Sequence, residues 1–372
     1  MVRVAIIGCG KIARAHIPYI RAYKESVLVG VCDVNRKQAE SMARQFNVSK
    51  VYSDPMKLLS EQQLDVVHIL TPPQTHADLA IAAMEAGVHV LVEKPMAVSL
   101  EEADLMVKTA QRTGMRLCVD HNRLFDPVML QARQMVAGGA LGEVVGVEAF
   151  QGYVRVSRNG PNGEEGWVSR LPGGILQNIA PHPISLLLAF MPEAKLVSVA
   201  TKHTGFCPGT PFEEVRAVFE GERGLGLLTF SLSPQPYLNY LTVYGSKASL
   251  QINLNNNTLI VYKDRRLPKL LAKSWFNIDQ CLQLLGSTVK SGFQVLTGKM
   301  NFYPGMGTLI QRYYSCLEHG GPPPVTGEQG REVTRVIDFI CRRSERAAAE
   351  GASREGRGHR DVEFALRPRP ME

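Results

Sequence analysis

Apolar residues in the first 120 positions form short runs that alternate with segments of helical periodicity. Val2–Ile7 is apolar almost throughout, as expected for a strand covered on both faces. The pattern predicts strands at Val2–Ile7, Val27–Cys32, Val66–Leu70, His89–Val92 and Leu117–Val119, alternating with helices at Ile12–Tyr23, Arg36–Phe46, His76–Glu85 and Leu100–Thr113. Such repeated strand–helix units, joined by short connections, indicate an α/β domain with a doubly wound parallel sheet over residues 1–121.

The hydrophobic pattern changes after Asp120. One more helix is predicted, and longer strands of alternating polarity follow with few helices between them. They are the helix Pro127–Val136 and the strands Val144–Tyr153, Leu196–His203, Glu213–Phe219, Leu227–Leu232, Leu241–Tyr244 and Ala248–Ile252. We therefore expect a second, α+β domain over residues 122–345 with a large open, mostly antiparallel sheet. Residues 265–302 are expected to form a helical, basic insert in it, and residues 346–372 a mobile basic tail.

Length and composition narrow the class of protein. With 372 residues the chain exceeds the size of a single hydrophobic core, which supports two domains. No apolar stretch approaches the ~20 residues of a membrane-spanning helix, and the N-terminal residues lack the pattern of a signal peptide. The seven cysteines include no C-x-x-C pair, which argues against a disulfide framework and against a zinc ribbon. We expect a cytoplasmic protein without a metal site.

The formal net charge of +7 is concentrated in one segment. Residues 263–299 account for +5 of it. A local excess does not suit a groove along the whole protein, so no nucleic-acid partner is predicted. The leucines and aromatic residues of the same segment lie among lysines, which leaves contact with an anionic membrane surface as an alternative. Packing or contact between subunits is the favoured interpretation.

A glycine-rich turn connects the first predicted strand to the first predicted helix. Gly8 permits the tight turn, Gly10 lets the backbone approach a pyrophosphate, and the small Ala13 allows close packing of helix on strand. Amide groups at the start of this helix would bind the phosphates of a dinucleotide. Asp33, at the end of the second strand, would accept hydrogen bonds from the adenosine ribose and repel a 2′-phosphate. NAD is therefore favoured, and Arg36, three residues further on, leaves NADP open.

Two loops at the carboxyl edge of the predicted sheet carry further candidate residues. Thr71-Pro72-Pro73 follows the strand Val66–Leu70, cannot continue the sheet, and should border the cofactor. His76, just beyond it, is equally compatible with a ligand contact and with a capping or packing role. Glu93-Lys94-Pro95 follows the strand His89–Val92. An ionisable lysine directly after a buried strand is costly, which indicates a function in the reaction.

Together with several later motifs, these segments resemble the Gfo/Idh/MocA family, the relatives of glucose–fructose oxidoreductase and inositol dehydrogenase. The matching motifs are ordered and span residue 4 to about residue 340. They are Gly8-Cys9-Gly10-Lys11-Ile12-Ala13, Thr71-Pro72-Pro73 with His76, Glu93-Lys94-Pro95-Met96-Ala97, Leu141-Gly142-Glu143-Val144, Trp167 with Arg170, Gly173-Gly174-Ile175-Leu176, Gly245-Ser246-Lys247 and Pro324-Val325-Thr326-Gly327-Glu328. The Glu-Lys-Pro element and the glycine pair ahead of a histidine are the most specific.

The resemblance implies a Rossmann domain followed by an α/β domain whose open sheet often forms the interface of a homo-oligomer. It also implies hydride transfer between NAD(P) and the hydroxyl or keto carbon of a sugar, cyclitol or nucleotide-linked sugar. The lysine that matches Lys94 contacts both nicotinamide and substrate, and His182 matches the family's acid/base residue. Family members commonly have an aspartate four residues before that histidine, and here Asn178 stands in its place.

Carried over residue by residue, the resemblance completes the predicted site. Lys94 and His182 are the catalytic candidates. The cofactor-binding candidates are Gly8, Gly10, Lys11, Ile12, Ala13, Asp33, Thr71, Pro72, Pro73, His76, Glu93, Lys94 and Asn122. The substrate-binding candidates are Lys94, Asn122, Tyr153, Trp167, Arg170, Asn178 and His182.

Two assignments of the catalytic base stay open. Neutral histidine, with an unperturbed pKa of about 6.5, suits His182 to accept the hydroxyl proton, while Lys94 stabilises the charge developing on the oxygen. At a spacing of four residues, Asn178 and His182 would share a helix face. Asparagine cannot ionise and lends no negative charge to its neighbours. Lys94 would then be closer to neutral and could itself serve as the base.

Three functions are compatible with these residues. An NAD(P)-dependent dehydrogenase is favoured. A second possibility is a glycosidase or epimerase that retains NAD and oxidises its sugar transiently, and a third, motivated by Asn178, is a non-catalytic NAD-binding scaffold or sensor. Arg123 and Arg170 suggest an anionic group on the substrate, such as a uronic carboxylate or a nucleotide diphosphate.

Overall fold

The computed structural model of the 372-residue chain describes residues 1–152, 165–205, 211–233, 237–264, 268–296 and 303–355. Tyr153, one of the predicted substrate-binding residues, lies outside these ranges, as do residues 356–372 of the predicted tail.

The N-terminal part is a parallel sheet with helices between its strands. The strands are β1 (Val2–Ile7), β2 (Ser26–Cys32), β3 (Lys50–Tyr52), β4 (Val66–Ile69), β5 (His89–Val92) and β6 (Leu117–Val119). The helices are α1 (Lys11–Ala22), α2 (Arg36–Gln45), α3 (Pro55–Glu61), α4 (His76–Glu85) and α5 (Leu100–Thr113). The order β3-β2-β1-β4-β5-β6 confirms the predicted doubly wound sheet. The sequence pattern does not predict β3, because three residues are too few to show a period.

Strand order decides where a ligand can bind. The chain runs outward from β1 in one direction through β2 and β3, and then in the other through β4, β5 and β6. The carboxyl ends of β1 and β4 therefore border a crevice at the topological switch point, where open α/β sheets bind their ligands.

The rest of the chain forms a second sheet and its helices. The strands are β7 (Val144–Gly152), β8 (Lys195–Lys202), β9 (Glu214–Glu220), β10 (Leu225–Ser231), β11 (Asn239–Gly245), β12 (Ala248–Asn253) and β13 (Thr258–Lys263). The helices are α6 (Pro127–Ala137), α7 (Glu165–Val168), α8 (Gly174–Ile179), α9 (Pro181–Leu188), α10 (Lys269–Leu296), α11 (Pro304–His319) and α12 (Gly327–Glu355). The order is β13-β12-β11-β7-β10-β9-β8, and every pairing except β7–β10 is antiparallel. The predicted open, mostly antiparallel sheet is confirmed, and β13 lies beyond the last strand that the pattern predicts.

Two apolar cores stabilise these sheets. The core of the parallel sheet includes Met306, Ile310 and Tyr313 of α11, so the chain returns to the N-terminal sheet after completing the second one. In the second core, α9 and α12 pack with the inward-facing side chains of the antiparallel sheet. Because α11 packs with the N-terminal core, the division of the chain at residue 121 stays a prediction.

The opposite face of the second sheet carries partly exposed side chains, among them Tyr240, Thr242 and Gln251. This arrangement is compatible with the predicted contact between copies of the chain. The homo-oligomer itself stays a prediction.

The two segments set apart by composition contain long helices. α10 lies within residues 265–302 and packs along β13. α12 continues to Glu355, so residues 346–355 of the predicted tail are helical. The helix therefore extends further than the sequence pattern predicts. The alanine-rich sequence of residues 346–355 explains why they are helical, because alanine has the highest intrinsic helix propensity. Within the described ranges, no helix combines the length and apolar character needed to cross a bilayer.

Candidate active site

The glycine turn between β1 and α1 faces the crevice at the switch point. Gly8 has φ +97°, and a Cβ at this position would lie 2.6 Å from the carbonyl carbon and oxygen of Leu70. At Gly10, the N-cap of α1, a Cβ would meet no atom within 4 Å, and no side chain caps the helix. Backbone amides at the start of α1 therefore border open space, as the binding of a pyrophosphate requires. Of the other turn residues, Lys11 is exposed, Ile12 is partly buried, and Ala13 is fully buried against the sheet.

Asp33 stands directly after β2 and connects it to the glycine turn. Its two carboxylate oxygens accept hydrogen bonds from the backbone amides of Cys9 and Asn35, each at 2.8 Å. The carboxylate is thus fixed beside the turn, at the position expected for recognition of the ribose. Arg36, the residue that leaves NADP open, pairs with Glu40 at 3.0 Å.

Asp33→Asn is expected to weaken the preference for NADH over NADPH at least tenfold. The substitution keeps the shape of the side chain and removes the charge that would repel a 2′-phosphate, an interaction that solvent only partly screens. Fluorescence titration with both reduced cofactors gives the two dissociation constants. Glu61→Gln, which removes an exposed charge at the end of α3, is the matched control. An unchanged preference in Asp33→Asn would refute the assignment.

The His76 side chain connects the loop that follows β4 to the loop that follows β5. One ring nitrogen lies 2.8 Å from the carbonyl oxygen of Thr71 and the other 2.9 Å from that of Pro95. The side chain is fully buried, and burial lowers its pKa to about 4. The structure shows these packing contacts of His76, and its contact with the cofactor stays a prediction. Pro73 is buried in the same loop, while Thr71 and Pro72 are at its surface.

Glu93 extends β5 and interacts with the residues around it. Its amide donates to the carbonyl of Ile69 at 3.0 Å, and its carboxylate accepts a hydrogen bond from the amide of Lys94. Burial, followed by the negative charge of Asp120, raises the pKa of Glu93 to about 8. Close to neutral pH this carboxyl can therefore hold a proton.

Lys94 joins the two parts of the site. Its Nζ donates to the backbone oxygen of Asn178 at 3.0 Å and to Oδ1 of the same residue at 3.2 Å. Asn178 belongs to α8 in the second part of the chain, so the ammonium group lies where the two sheets' elements meet. Asn178 thus provides two hydrogen-bond acceptors for the ammonium group, but it carries no negative charge to balance that of the lysine.

His182 is the second residue of α9 and is close to Lys94. Burial, then the positive charges of Lys94 and Arg123, and then His121 lower its pKa well below the ordinary 6.5. Its buried Nδ1 has no hydrogen-bond partner among the described residues. The side chain is thus a neutral imidazole with unused hydrogen-bonding capacity, adjacent to a lysine.

Asn178 and His182 do not belong to one helix, contrary to the prediction. α8 ends at Ile179 and α9 begins at Pro181. A proline has no N–H group with which to continue a helix, and it is favoured in the first turn of a new one. Both residues nevertheless interact with Lys94: Asn178 accepts its hydrogen bonds, and the positive charge of Lys94 contributes to the lowered pKa of His182.

His121 lies at the site but is not among the residues predicted from the sequence. It follows β6, is 2% exposed, and both its ring nitrogens lack a hydrogen-bond partner among the described residues. Its pKa is lowered to about 4, first by burial, and Lys94 adds to the effect while Asp120 opposes it. Its position after a parallel strand, at the same edge as Glu93, is the signal that could have identified it.

The remaining predicted residues surround this centre at different depths. Asn122 is buried in the short 3₁₀ turn after His121. The backbone oxygen of Trp167 accepts a hydrogen bond from the Gln74 side chain at 2.9 Å, which ties α7 to the loop after β4. Arg170 is exposed at the outer end of the same segment.

A row of buried polar groups lies behind the site. Oδ2 of Asp120 is 3.2 Å from Nε2 of His16, and Nδ1 of His16 is 3.0 Å from Nδ1 of His68. Nε2 of His68 is 2.8 Å from the hydroxyl of Tyr314. All four side chains are fully buried. Burial, together with His16, lowers the pKa of His68 well below 6.5.

Stability against denaturant is expected to fall as the pH is lowered from about 6.5 to 5. His68, His76 and His121 have lowered pKa values in the folded protein, so the unfolded chain binds more protons below pH 6.5. Each neutral buried histidine costs about 1.4 kcal/mol per pH unit in that window. Glu93, Asp126 and Glu102 oppose the trend, because their raised pKa values stabilise the fold as the pH falls. His182 and His89 also have lowered pKa values and add to the effect of the other three histidines, so the histidines outnumber these carboxyl groups.

Denaturant midpoints measured from pH 5 to pH 8 test this expectation. His319→Gln, at an exposed histidine of α11, is the matched control. A midpoint that is constant, or that rises on acidification, would contradict the burial of these histidines in neutral form.

Among the described residues, no group of three or more His, Cys, Asp or Glu side chains is arranged to hold a metal ion.

Comparison with protein families identifies both parts of the chain. Residues 2–121 match an oxidoreductase family with an NAD-binding Rossmann fold, and residues 129–251 match the Gfo/Idh/MocA C-terminal domain.

Similar proteins of known activity are sugar and cyclitol dehydrogenases. D-glucoside 3-dehydrogenase of Escherichia coli (strain K12) is 37% identical over 143 residues, which are 38% of this chain and 41% of that protein. Myo-inositol 2-dehydrogenase of Thermotoga maritima is 26% identical over 191 residues, 51% of this chain and 55% of that protein. The matched stretch thus spans about half the length of these relatives.

The fold is shared along most of the chain with solved structures. The WlbA dehydrogenase from Bordetella pertussis, solved in complex with NADH and UDP-GlcNAcA, superposes with a TM-score of 0.76 at 20% identity. The superposition covers 93% of this chain and 96% of that one. At this identity the likeness concerns the fold.

Proposed function

The chain belongs to the Gfo/Idh/MocA family of oxidoreductases, and from this premise we propose that it is an NAD-dependent dehydrogenase of a sugar, cyclitol or nucleotide-linked sugar. The family resemblance predicted from the motifs is confirmed. The observation that carries the proposed activity is the position of Lys94. Its Nζ is held 3.0 Å and 3.2 Å from two oxygens of Asn178, with the neutral His182 beside it.

The residues around the crevice fit NAD. Gly8 must lack a side chain to pass Leu70, and Gly10 leaves open space over the first turn of α1. The amides of that turn would hold the pyrophosphate, and Asp33 would hold the adenosine ribose. NAD, when bound, supplies the acceptor for hydride.

Lys94 would stabilise the oxygen from which the proton leaves. Its ammonium group already donates to oxygen atoms, and a substrate hydroxyl could occupy the same hydrogen-bonding sphere. Negative charge that develops on this oxygen would be stabilised by a cation fixed in advance in a partly buried site. That interaction is stronger in the transition state than in the ground state, as catalysis requires.

His182 would accept the hydroxyl proton. Its lowered pKa ensures that the imidazole is neutral, and so able to accept, throughout the physiological range. Burial makes the protonated imidazolium unfavourable, and the positive charges of Lys94 and Arg123 would repel it. An anionic group of the substrate near Arg123 would reduce that repulsion. We therefore propose a substrate that carries a carboxylate or a phosphate, as a uronate or a nucleotide-linked sugar does.

Reduction of NAD in the presence of single candidate substrates tests this function. We expect net formation of NADH with at least one compound among neutral sugars, cyclitols, uronates and nucleotide-linked sugars. An anionic compound should have a higher kcat/KM than its neutral counterpart, and Arg123→Gln should narrow that difference. Equal values for the matched pair would overturn the proposed substrate class without affecting the dehydrogenase activity.

The two other functions predict different results in the same assay. Product formation without net NADH would indicate a glycosidase or epimerase that returns the hydride. Binding of NAD without reaction of any compound would indicate a scaffold or sensor. Either result would refute the dehydrogenase.

A further inference from the structure

Helix α10 is attached to the second sheet by its polar residues. Gln283 pairs with the backbone of the edge strand β13, accepting from the amide of Val261 at 2.8 Å and donating to its carbonyl at 3.0 Å. One turn further along, Ser287 Oγ donates to the carbonyl of Leu259 at 3.5 Å, and after another turn Ser291 Oγ donates to that of Asn257 at 3.2 Å.

The spacing of helix and strand makes this attachment regular. Four helical residues rise by about 6.0 Å, and two strand residues by about 6.7 Å, so every fourth helix residue meets every second strand residue. The helix therefore covers the unpaired groups of an edge strand, which would otherwise be open to pairing with another chain. As a consequence, the polar stripe of α10 faces the protein.

Phe276 of α10 stacks on Tyr262 of β13, but most of the exposed apolar residues of the helix lie on the side opposite Gln283, Ser287 and Ser291. We call eight of them the α10 seam: Leu271, Trp275, Ile278, Leu282, Leu285, Val289, Phe293 and Leu296. Their side chains are 39% to 87% exposed. From Leu271 to Val289 they alternate in steps of four and three residues, which is the heptad spacing of a helix that packs against another helix.

The α10 seam is nearly symmetric about its midpoint, which lies between Leu282 and Leu285. Trp275 and Phe293 depart from the symmetry by one residue. Leu271 and Leu296 are equally far from that point, and so are Ile278 and Val289. Two antiparallel copies of the helix related by a two-fold axis at the midpoint would therefore place Leu282 opposite Leu285. A two-fold interface requires self-complementarity of this kind.

We propose that the α10 seam packs antiparallel against the α10 seam of a second copy of this chain. Each large apolar side chain of the seam leaves on the order of 100 Å² exposed, so the eight would bury about 800 Å² per copy. That is the contribution of one partner to a standard protein–protein interface. The area is sufficient for a stable dimer without help from other surfaces.

A lipid surface fits the same helix less well. Helices that lie on membranes carry lysines and arginines on the polar face. Here the polar residues that face the protein, Gln283, Ser287 and Ser291, are uncharged and hydrogen-bonded to β13. Exposed lysines of this helix are Lys273 and Lys290. The three–four spacing from Leu271 to Val289 is also the spacing of a helix that packs against one partner helix.

The double variant Leu282→Lys with Leu285→Lys tests the pairing in the full chain. In the antiparallel pair each new ammonium group would face another across the axis, so the affinity between copies should fall at least 100-fold. Sedimentation equilibrium at micromolar concentration should show half the mass of the unmodified protein. The matched control is Asn277→Lys with Leu284→Lys, which adds the same charge at exposed positions outside the seam and should leave the mass unchanged.

Circular dichroism and NAD binding of both double variants separate loss of pairing from loss of the fold. Three outcomes would overturn the proposal: an unmodified protein that is monomeric, a seam variant of unchanged mass, and a control variant that dissociates equally. Co-sedimentation of a monomeric protein with vesicles of anionic phospholipid, lost in the seam variant, would assign the helix to a membrane instead.

The direction of pairing is tested by a distance between spin labels at Leu271→Cys. Exposed Cys281 and Cys207, which lies outside the described residues, are replaced by serine for this purpose. In the antiparallel pair the two labels are separated by 25 residues of helix, about 38 Å. A parallel pair would place them about 10 Å apart, the usual separation of packed helices, and would contradict the proposed two-fold axis.

Discussion

Lys94→Met is expected to reduce kcat by a factor of 10² to 10³ and to change the affinity for NADH by less than about threefold. Methionine has nearly the length of lysine and retains its apolar contacts, so the substitution removes the charge and the hydrogen-bond donors. Loss of one fixed donor to a developing oxyanion costs this much in enzymes that use such groups. The cofactor contacts depend on the glycine turn and Asp33, which the substitution leaves intact.

Steady-state kinetics with the best substrate, and fluorescence titration with NADH, measure the two quantities. Lys108→Met is the matched control, because Lys108 is exposed on α5 in the same part of the chain. A kcat within tenfold of the unmodified protein would show that Lys94 is not part of the reaction, and the proposed function would then lose its central observation.

His182→Gln is expected to reduce kcat by a factor of 10² to 10⁴, the usual contribution of general base catalysis. Glutamine keeps a hydrogen-bonding side chain of similar size but cannot accept the proton. The pH dependence of kcat/KM in the unmodified protein should agree with this assignment. Because burial, Lys94 and Arg123 hold the pKa of His182 well below 6.5, activity should stay constant from pH 8 to pH 6 rather than fall near 6.5.

Asn178→Asp provides a second, independent measurement on the same base. A carboxylate beside Lys94 would offset part of the positive field around His182 and raise its pKa, so the acidic limb of kcat/KM should move to higher pH. His319→Gln, at an exposed histidine of α11, should change neither kcat nor the profile. Full activity of His182→Gln would leave Lys94 as the base.

The sequence predicted those parts of the site that depend on local geometry. The glycine turn is an example, because the positive φ of Gly8 and the close approach of Leu70 allow no other residue. Asp33 and Lys94 were identified in the same way, as polar residues directly after buried strands. In a parallel sheet all such positions lie at one edge, so strand assignment is sufficient to bring them together.

Other parts of the site depend on contacts between distant segments. His76 lies between the carbonyls of Thr71 and Pro95, and the sequence did not specify these partners. The row from Asp120 to Tyr314 includes a contact between residues 246 positions apart, His68 and Tyr314. No local pattern contains that information, because histidines and tyrosines of this kind have no periodicity of their own.

The sequence by itself determined the α/β architecture, the open second sheet, the NAD-binding turn and the family, since each follows from periodicity or from motifs within one segment. Only the tertiary structure decided the electrostatics of the site and the orientation of α10. The low pKa of His182 arises from burial and from charges on two other segments. In α10 the apolar residues were visible in the sequence, but the face turned to the protein was chosen by hydrogen bonds to an edge strand. Hydrophobic pattern specifies which residues share a face, whereas the neighbours of that face depend on how the chain folds back on itself.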